Sequence, residues 1–270
     1  MAVSHICGLS LDERVRIFLS THPDLVERIF EKITDAPFIA NQAWNALINL
    51  SLDSRMAEIM ARNTDQVVKV VESSTSIFGD LACMLLSNLA KTARGQEILV
   101  ESLDILVPIF MNGHTHNRNC NYDFIASVLA DVTTIHQGRL YFLKNLQSLF
   151  TVLLSQLTAT SVIRRGGTTT ALKNCLFEIS YHKTLLDMDE EDERLLSTLV
   201  GRLACPKQCF SEKELDSVIL DIQLELRHTD AESDVVIRSI VVECLLILCT
   251  TFYGREIVRR KNIVSCFYEY

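Results

Sequence analysis

Two groups of residues in this sequence could do metal chemistry: His114, His116 and Cys120, and Cys205 with Cys209. Imidazole and thiolate at such short spacing can share one zinc ion. Neither group has the second, well-spaced pair that would complete four ligands, so ordinary loop and core roles are expected for them. Cys175 and His182 are the residues with nucleophile-and-base chemistry. Their seven-residue offset on a helix puts them on one face but about 10 Å apart, too far for a proton transfer. No catalytic residue, metal or cofactor is therefore expected, and the chain reads as a non-enzyme. Arg164-Arg165-Gly166-Gly167-Thr168 has the composition of an anion-binding turn, with two guanidinium groups beside a threonine cap. It lacks the lysine and spaced glycines of a phosphate loop. A structural turn between helices is its expected role, with docking of an acidic partner segment as the alternative.

The remaining polar residues of interest recur. An apolar-rich pattern around one polar position appears as Leu47-Ile48-Asn49-Leu50-Ser51, Leu86-Ser87-Asn88-Leu89-Ala90, Leu129-Ala130-Asp131-Val132-Thr133 and Leu176-Phe177-Glu178-Ile179-Ser180. The polar positions 49, 88, 131 and 178 are 39, 43 and 47 residues apart. Units of roughly 40 to 47 residues belong to the two-or-three-helix armadillo and HEAT class. Glycine follows the second and third copies, at Gly95 and Gly138, and a degenerate fifth copy, Leu245 to Cys249, precedes Gly254. Each copy predicts a long helix, a turn opened by glycine in the left-handed conformation, and a short amphipathic helix. Asn49, Asn88, Asp131 and Glu178 then have two readings. They bond neighbouring turns and stiffen the stack, or they line a groove that grips another polypeptide. Trp44 and Asn45 precede the first rung, and Lys91 and Arg94 follow the second, as candidate contacts.

Composition supports helices. The chain has 270 residues, 48% hydrophobic and 22% charged, enough apolar surface for a substantial core. Only 9 glycines and 4 prolines leave few of the turns that strand-dense folds need. The net charge is −8 and the 26 basic residues are scattered, which argues against direct nucleic-acid binding. No apolar window suits a membrane span, and the N-terminal MAVSHICGLSLDER has no signal-peptide pattern. A cytoplasmic monomer whose cysteines are buried free thiols is expected. Asn112 to Asn121 reads as a surface loop. The acidic run Asp187 to Glu193 is expected to favour the start of the next helix. Ser211-Glu212-Lys213-Glu214 reads as a capping box within an irregular insertion at about 205–234.

From Ser161 to Leu186, and through Phe210-Ser211-Glu212-Lys213-Glu214 to Asp221-Ile222-Gln223-Leu224, the sequence resembles the Hgh family of armadillo-like proteins. The shared elements include Arg164-Arg165-Gly166-Gly167, the Lys173-Asn174-Cys175-Leu176-Phe177-Glu178 helix, Asp234 to Arg238 and Gly254-Arg255. The resemblance runs from about Ala43 to Val264. It implies a chaperone that binds newly made eukaryotic elongation factor 2 and works with the ring-shaped cytosolic chaperonin. Arg164, Arg165, Lys173 and Asn174 thereby join the candidate partner contacts. The expected architecture is all-α, a right-handed armadillo/HEAT-like solenoid of about five repeats in one domain over residues 1–270. An importin-like scaffold that holds a linear peptide is the alternative; such proteins use regular Trp and Asn rungs, and this chain has one Trp.

Overall fold

The computed structural model describes residues 2–188, 194–203 and 230–263. These residues form helices and turns with no strand among them, so the fold is all-α. Among them no single helix is long and apolar enough to cross a membrane. Residues 189–193 of the acidic run, the Ser211 to Glu214 cap, Cys205, Cys209 and the insertion as far as residue 229 lie outside the described residues. Chain contacts divide the molecule into two units, 1–135 and 136–270.

Unit 1 runs through α1 (Ala2–Leu9), α2 (Glu13–Ser20), α3 (Pro23–Phe30), α4 (Pro37–Leu50), α5 (Ser54–Met60), α6 (Thr64–Glu72), α7 (Gly79–Leu89), α8 (Ala93–Glu101), α9 (Leu103–His116) and α10 (Ile125–Val132). Pro23 and Pro37 open α3 and α4, where a missing amide hydrogen costs no helical bond. Asp12, Asp53 and Thr92 cap α2, α5 and α8, each side chain accepting a backbone N–H two or three residues on. The helices that carry the repeat pattern, α4, α7 and α10, pack in that order, and α1 packs on α4. Leu47, Leu50, Leu86, Leu89, Leu129 and Val132 are fully buried between the layers. Six such leucine and valine side chains each contribute roughly 1.5–3 kcal/mol by leaving water.

The glycine after each copy does something other than expected. No described glycine has a φ in the left-handed region. Gly95 lies in the first turn of α8, its N–H donating to Thr92 Oγ1 at 3.0 Å, and a Cβ there would stand 2.1 Å from the Leu89 carbonyl oxygen. Gly254 repeats this arrangement with Thr251 and the Leu248 carbonyl. Glycine is required because two helix ends meet at contact distance, not because the chain turns left-handed.

The expected surface loop at Asn112 to Asn121 is met over residues 117–121, which are not helical, and Asn112, His114, Thr115, Arg118, Asn119 and Asn121 are exposed. The first half is helical as far as His116 across a kink at Gly113, and Asn117 and Cys120 are buried. Asn117 Nδ2 donates to the Ser76 carbonyl at 2.7 Å, and the Asp80 carboxylate accepts from the backbone N–H groups of Asn121 and Tyr122. These bonds tie the segment to the turn before α7 and to the first turn of that helix.

Unit 2 contains α11 (His136–Leu143), α12 (Val162–Leu176), α13 (His182–Met188), α14 (Leu195–Leu203), α15 (Val235–Leu248) and α16 (Phe252–Arg260). α12 packs on α15, α14 on α15, and α13 on α16. Arg164 to Thr168 is not a turn. Ser161 caps α12, the helix continues through Gly166 and Gly167, and Thr168 Oγ1 donates to the Arg164 carbonyl at 2.7 Å. Two adjacent glycines weaken a helix, and here the packing of α12 against α15 overrides that preference. Arg165 has a structural task. Its Nε and Nη2 donate to the two carboxylate oxygens of Glu232 at 2.7 and 3.0 Å, and Arg202 Nη2 donates to the same carboxylate at 2.7 Å. The Glu232 side chain is 0% exposed. Burial pushes its carboxyl pKa upward, and Arg165, the Asp234 amide and Arg202 more than reverse that, bringing it down to about 2.

Candidate functional site

The rung residues of unit 1 bond to the preceding turn. Asn49 Nδ2 donates to Ser10 Oγ at 2.9 Å, and Asn88 Nδ2 donates to Ser51 Oγ at 2.9 Å. Each serine hydroxyl then donates to a carbonyl of its own turn, that of Cys7 or Ile48. The third rung differs because Ala90 stands where the serines stand and offers no hydroxyl. Burial raises the Asp131 carboxyl pKa, and the Lys91 ammonium partly offsets this. Asn88→Ala is expected to cost about 1–2 kcal/mol in a urea titration, because the buried Ser51 hydroxyl loses its donor. Asn49→Ala, at a more exposed joint, is expected to cost less.

A second set of contacts runs toward the following turn from Arg16 and Gln96, each four residues past a cap, and from Arg139 of α11. Arg16 lies 3.7 Å from Asp53, Gln96 Nε2 donates to the Asp131 carbonyl and to Thr134 Oγ1, and in unit 2 Arg139 Nε donates to Glu178 at 2.7 Å. The turns themselves repeat: Ser10-Leu11-Asp12-Glu13-Arg14 and Ser51-Leu52-Asp53-Ser54-Arg55 lie 41 residues apart. In both, the Asp caps the helix and binds the Arg side chain through two contacts. A search for turn motifs as well as helix motifs would have found this pair.

Counting back from each rung by helical steps defines one face of α4, α7 and α10. Eleven residues back stand Phe38 on α4, 72% exposed, Ile77 in the turn that precedes α7, 57% exposed, and the buried Cys120. Seven back are Gln42, Leu81 and Phe124, and four back are Asn45, Met84 and Ser127, all partly exposed. These side chains include no charge. Charge begins at the rungs with Asp131 and, three residues past the second rung, Lys91. The face is thus apolar at one edge and polar at the other.

Trp44 does not belong to it. The indole is fully buried and lies 6.5 Å, ring to ring, from Phe78 at the start of α7. Asn45 is partly exposed and donates to the Asn41 carbonyl at 2.8 Å. Lys91 and Arg94 are exposed; Lys91 Nζ is 3.5 Å from Asn88 Oδ1, and Arg94 pairs with Glu97. The unit 2 candidates are engaged within the fold. Arg164 Nη1 donates to Gln156 Oε1 at 3.0 Å, and Lys173 pairs with Glu243 at 2.9 Å. Asn174 is partly exposed on α12. Glu178 lies past the end of α12, beyond its C-cap Phe177, and accepts from Arg139 and His136, which hold its carboxyl below the usual range. Aligned on helix ends, the fourth rung position is buried Cys175.

A family model described as a domain of unknown function, DUF383, matches residues 69–239. The chain is 30% identical over 285 residues to Protein HGH1 homolog of Schizosaccharomyces pombe, covering 97% of this chain and 79% of that protein. Protein HGH1 homolog of Danio rerio is 29% identical over 282 residues, covering 100% and 73%, and that of Mus musculus 26% over 277 residues, covering 97% and 69%. The chain belongs to the HGH1 family.

None of these HGH1 names is an enzyme name. In this HGH1-family chain Cys175 is buried with its thiol pKa pushed up by burial, and His182 Nε2 sits 2.7 Å from the Leu176 carbonyl. A protonated thiol and an imidazole bonded to the backbone give no nucleophile and base pair. Among the described residues no three His, Cys, Asp or Glu side chains converge on a metal position.

Proposed function

We propose that this HGH1-family chain is a non-enzymatic chaperone or adaptor that binds a protein client. In this reading its repeats stack as a right-handed armadillo/HEAT-like solenoid. The proposed client is eukaryotic elongation factor 2, folded in the cytoplasm in concert with the chaperonin. One observation carries the client-binding reading: the uncharged, apolar edge formed by Phe38, Ile77, Leu81, Met84 and Phe124 beside the polar rungs. Such a surface suits a partly folded client, whose apolar segments are exposed until folding buries them. Differential affinity then drives the cycle, since the face binds the non-native state more tightly than the native one.

The importin-like alternative loses support because Trp44, the one tryptophan, is buried and cannot stack on a peptide. The test is co-precipitation of elongation factor 2 freshly translated in a cell-free system. Phe38→Ser with Ile77→Ser is expected to weaken capture on the order of tenfold, since two apolar contacts are lost from exposed positions that the fold does not need. Equal capture by wild type and variant would remove this face from the function. Recovery of nuclear cargo instead would favour the peptide-binding scaffold.

A further inference from the structure

The three joints of unit 1 differ by one hydroxyl. At the first two, the amide of Asn49 or Asn88 donates to a serine of the preceding turn, Ser10 or Ser51. At the third, Ala90 stands in the serine's place and the rung is Asp131. The bonds that Gln96 and Thr134 make to Asp131 go to its backbone carbonyl. Among the described residues the carboxylate therefore has neither a hydrogen-bond donor nor an ion pair. Lys91, the cation whose charge reaches it, holds its ammonium 3.5 Å from Asn88 Oδ1 instead. Asp131 is still partly exposed, on the helix face it shares with Ser127 four residues back and Phe124 seven back, both partly exposed and uncharged. A carboxylate half withdrawn from water without a partner is costly in the free protein, and a cation arriving from outside relieves that cost.

We propose that Asp131 is the point at which this face takes an arginine side chain of the bound polypeptide. The inference rests on the client-binding reading and adds a charge rule to it. Charge complementarity selects the occupant, because the face offers apolar and uncharged positions and then one unpaired carboxylate. Arginine suits that carboxylate better than lysine: its guanidinium is weakly hydrated and donates two parallel N–H bonds to one carboxylate. Its aliphatic stem can lie along Ser127 and Phe124 while the head reaches Asp131. Asn49 and Asn88 carry no charge and are bonded to serines, so they give a cation no equal anchor, and the arginine has one register. Lys91 beside the site disfavours a second cation, so the face takes one arginine among apolar residues and not a basic cluster.

Fluorescence anisotropy with two short labelled peptides tests this, both rich in leucine and serine, one with a central arginine and the other with citrulline, its uncharged isostere. The purified full chain is expected to bind the arginine peptide roughly tenfold more tightly. Asp131→Asn, which gives the third joint the amide of the first two, is expected to bind both peptides equally and to melt no lower than wild type. Asp104→Asn, at an exposed acid of α9, is expected to keep the wild-type preference. Phe38→Ser with Ile77→Ser is expected to weaken both peptides alike. Equal affinities for wild type, no binding of either peptide up to about 200 µM, or a preference that survives Asp131→Asn overturns the proposal. An arginine preference in a chain that fails to capture elongation factor 2 supports this site and removes only that client.

Discussion

Glu232→Ala is expected to lower the unfolding free energy by about 3–5 kcal/mol, because it leaves the Arg165 and Arg202 guanidinium groups buried without their counter-charge. Both arginine side chains are largely hidden, and Arg202 Nε already has no hydrogen-bond partner. Replacing all three residues by apolar ones of similar size, Arg165→Met, Glu232→Leu and Arg202→Met, is expected to cost far less, since no charge is then stranded. Urea titrations of both variants measure the difference. A cost below about 1 kcal/mol for Glu232→Ala would show that solvent screens the triad. The carboxyl also predicts a pH response. Its folded pKa is depressed, so its stabilisation is complete above the ordinary 4.5 and is lost as pH falls from there toward about 2. The wild-type advantage over Glu232→Ala should shrink across that interval and hold steady between pH 6 and 8.

Gly95→Ala is the other substitution with a large expected effect, a loss of about 2–3 kcal/mol. The added methyl would stand 2.1 Å from the Leu89 oxygen and 2.7 Å from its carbonyl carbon, both backbone atoms. Relief requires the end of α7 and the start of α8 to separate. Gly8→Ala is the control, because nothing lies within 4 Å of its added methyl. In helix α1 it should gain up to about 1 kcal/mol from helix propensity. Thermal melts of the two variants should move in opposite directions.

Helix content and the first two rungs are legible in the sequence because a lone Asn on an apolar stripe is conspicuous and helical spacing is local. Legibility fails where one residue type serves two geometries. Glycine after a helix reads as a left-handed cap, yet Gly95 and Gly254 belong to the next helix and are set by how closely two chain segments pass. Gly166-Gly167 reads as a turn, yet packing against α15 keeps it helical. Glu178 falls out of the rung register, beyond Cys175, because Leu176 to Ser180 mimics the repeat while α12 ends early. The triad is not readable at all: 67 residues separate Arg165 from Glu232, and only the fold brings them together. Trp44 shows the limit of residue-type arguments for contact surfaces, since interface and core favour the same aromatic side chain.

Because the third joint of unit 1 has an acid where the first two have amides, protons act on Asp131 and Glu232 with opposite sign. Asp131 is held above its usual pKa, so it is a liability at neutral pH that mild acidification relieves. Glu232 is held below its usual pKa and fails only in stronger acid. The Asp131 joint therefore gains from the proton that the Glu232 triad cannot accept without losing its counter-charge.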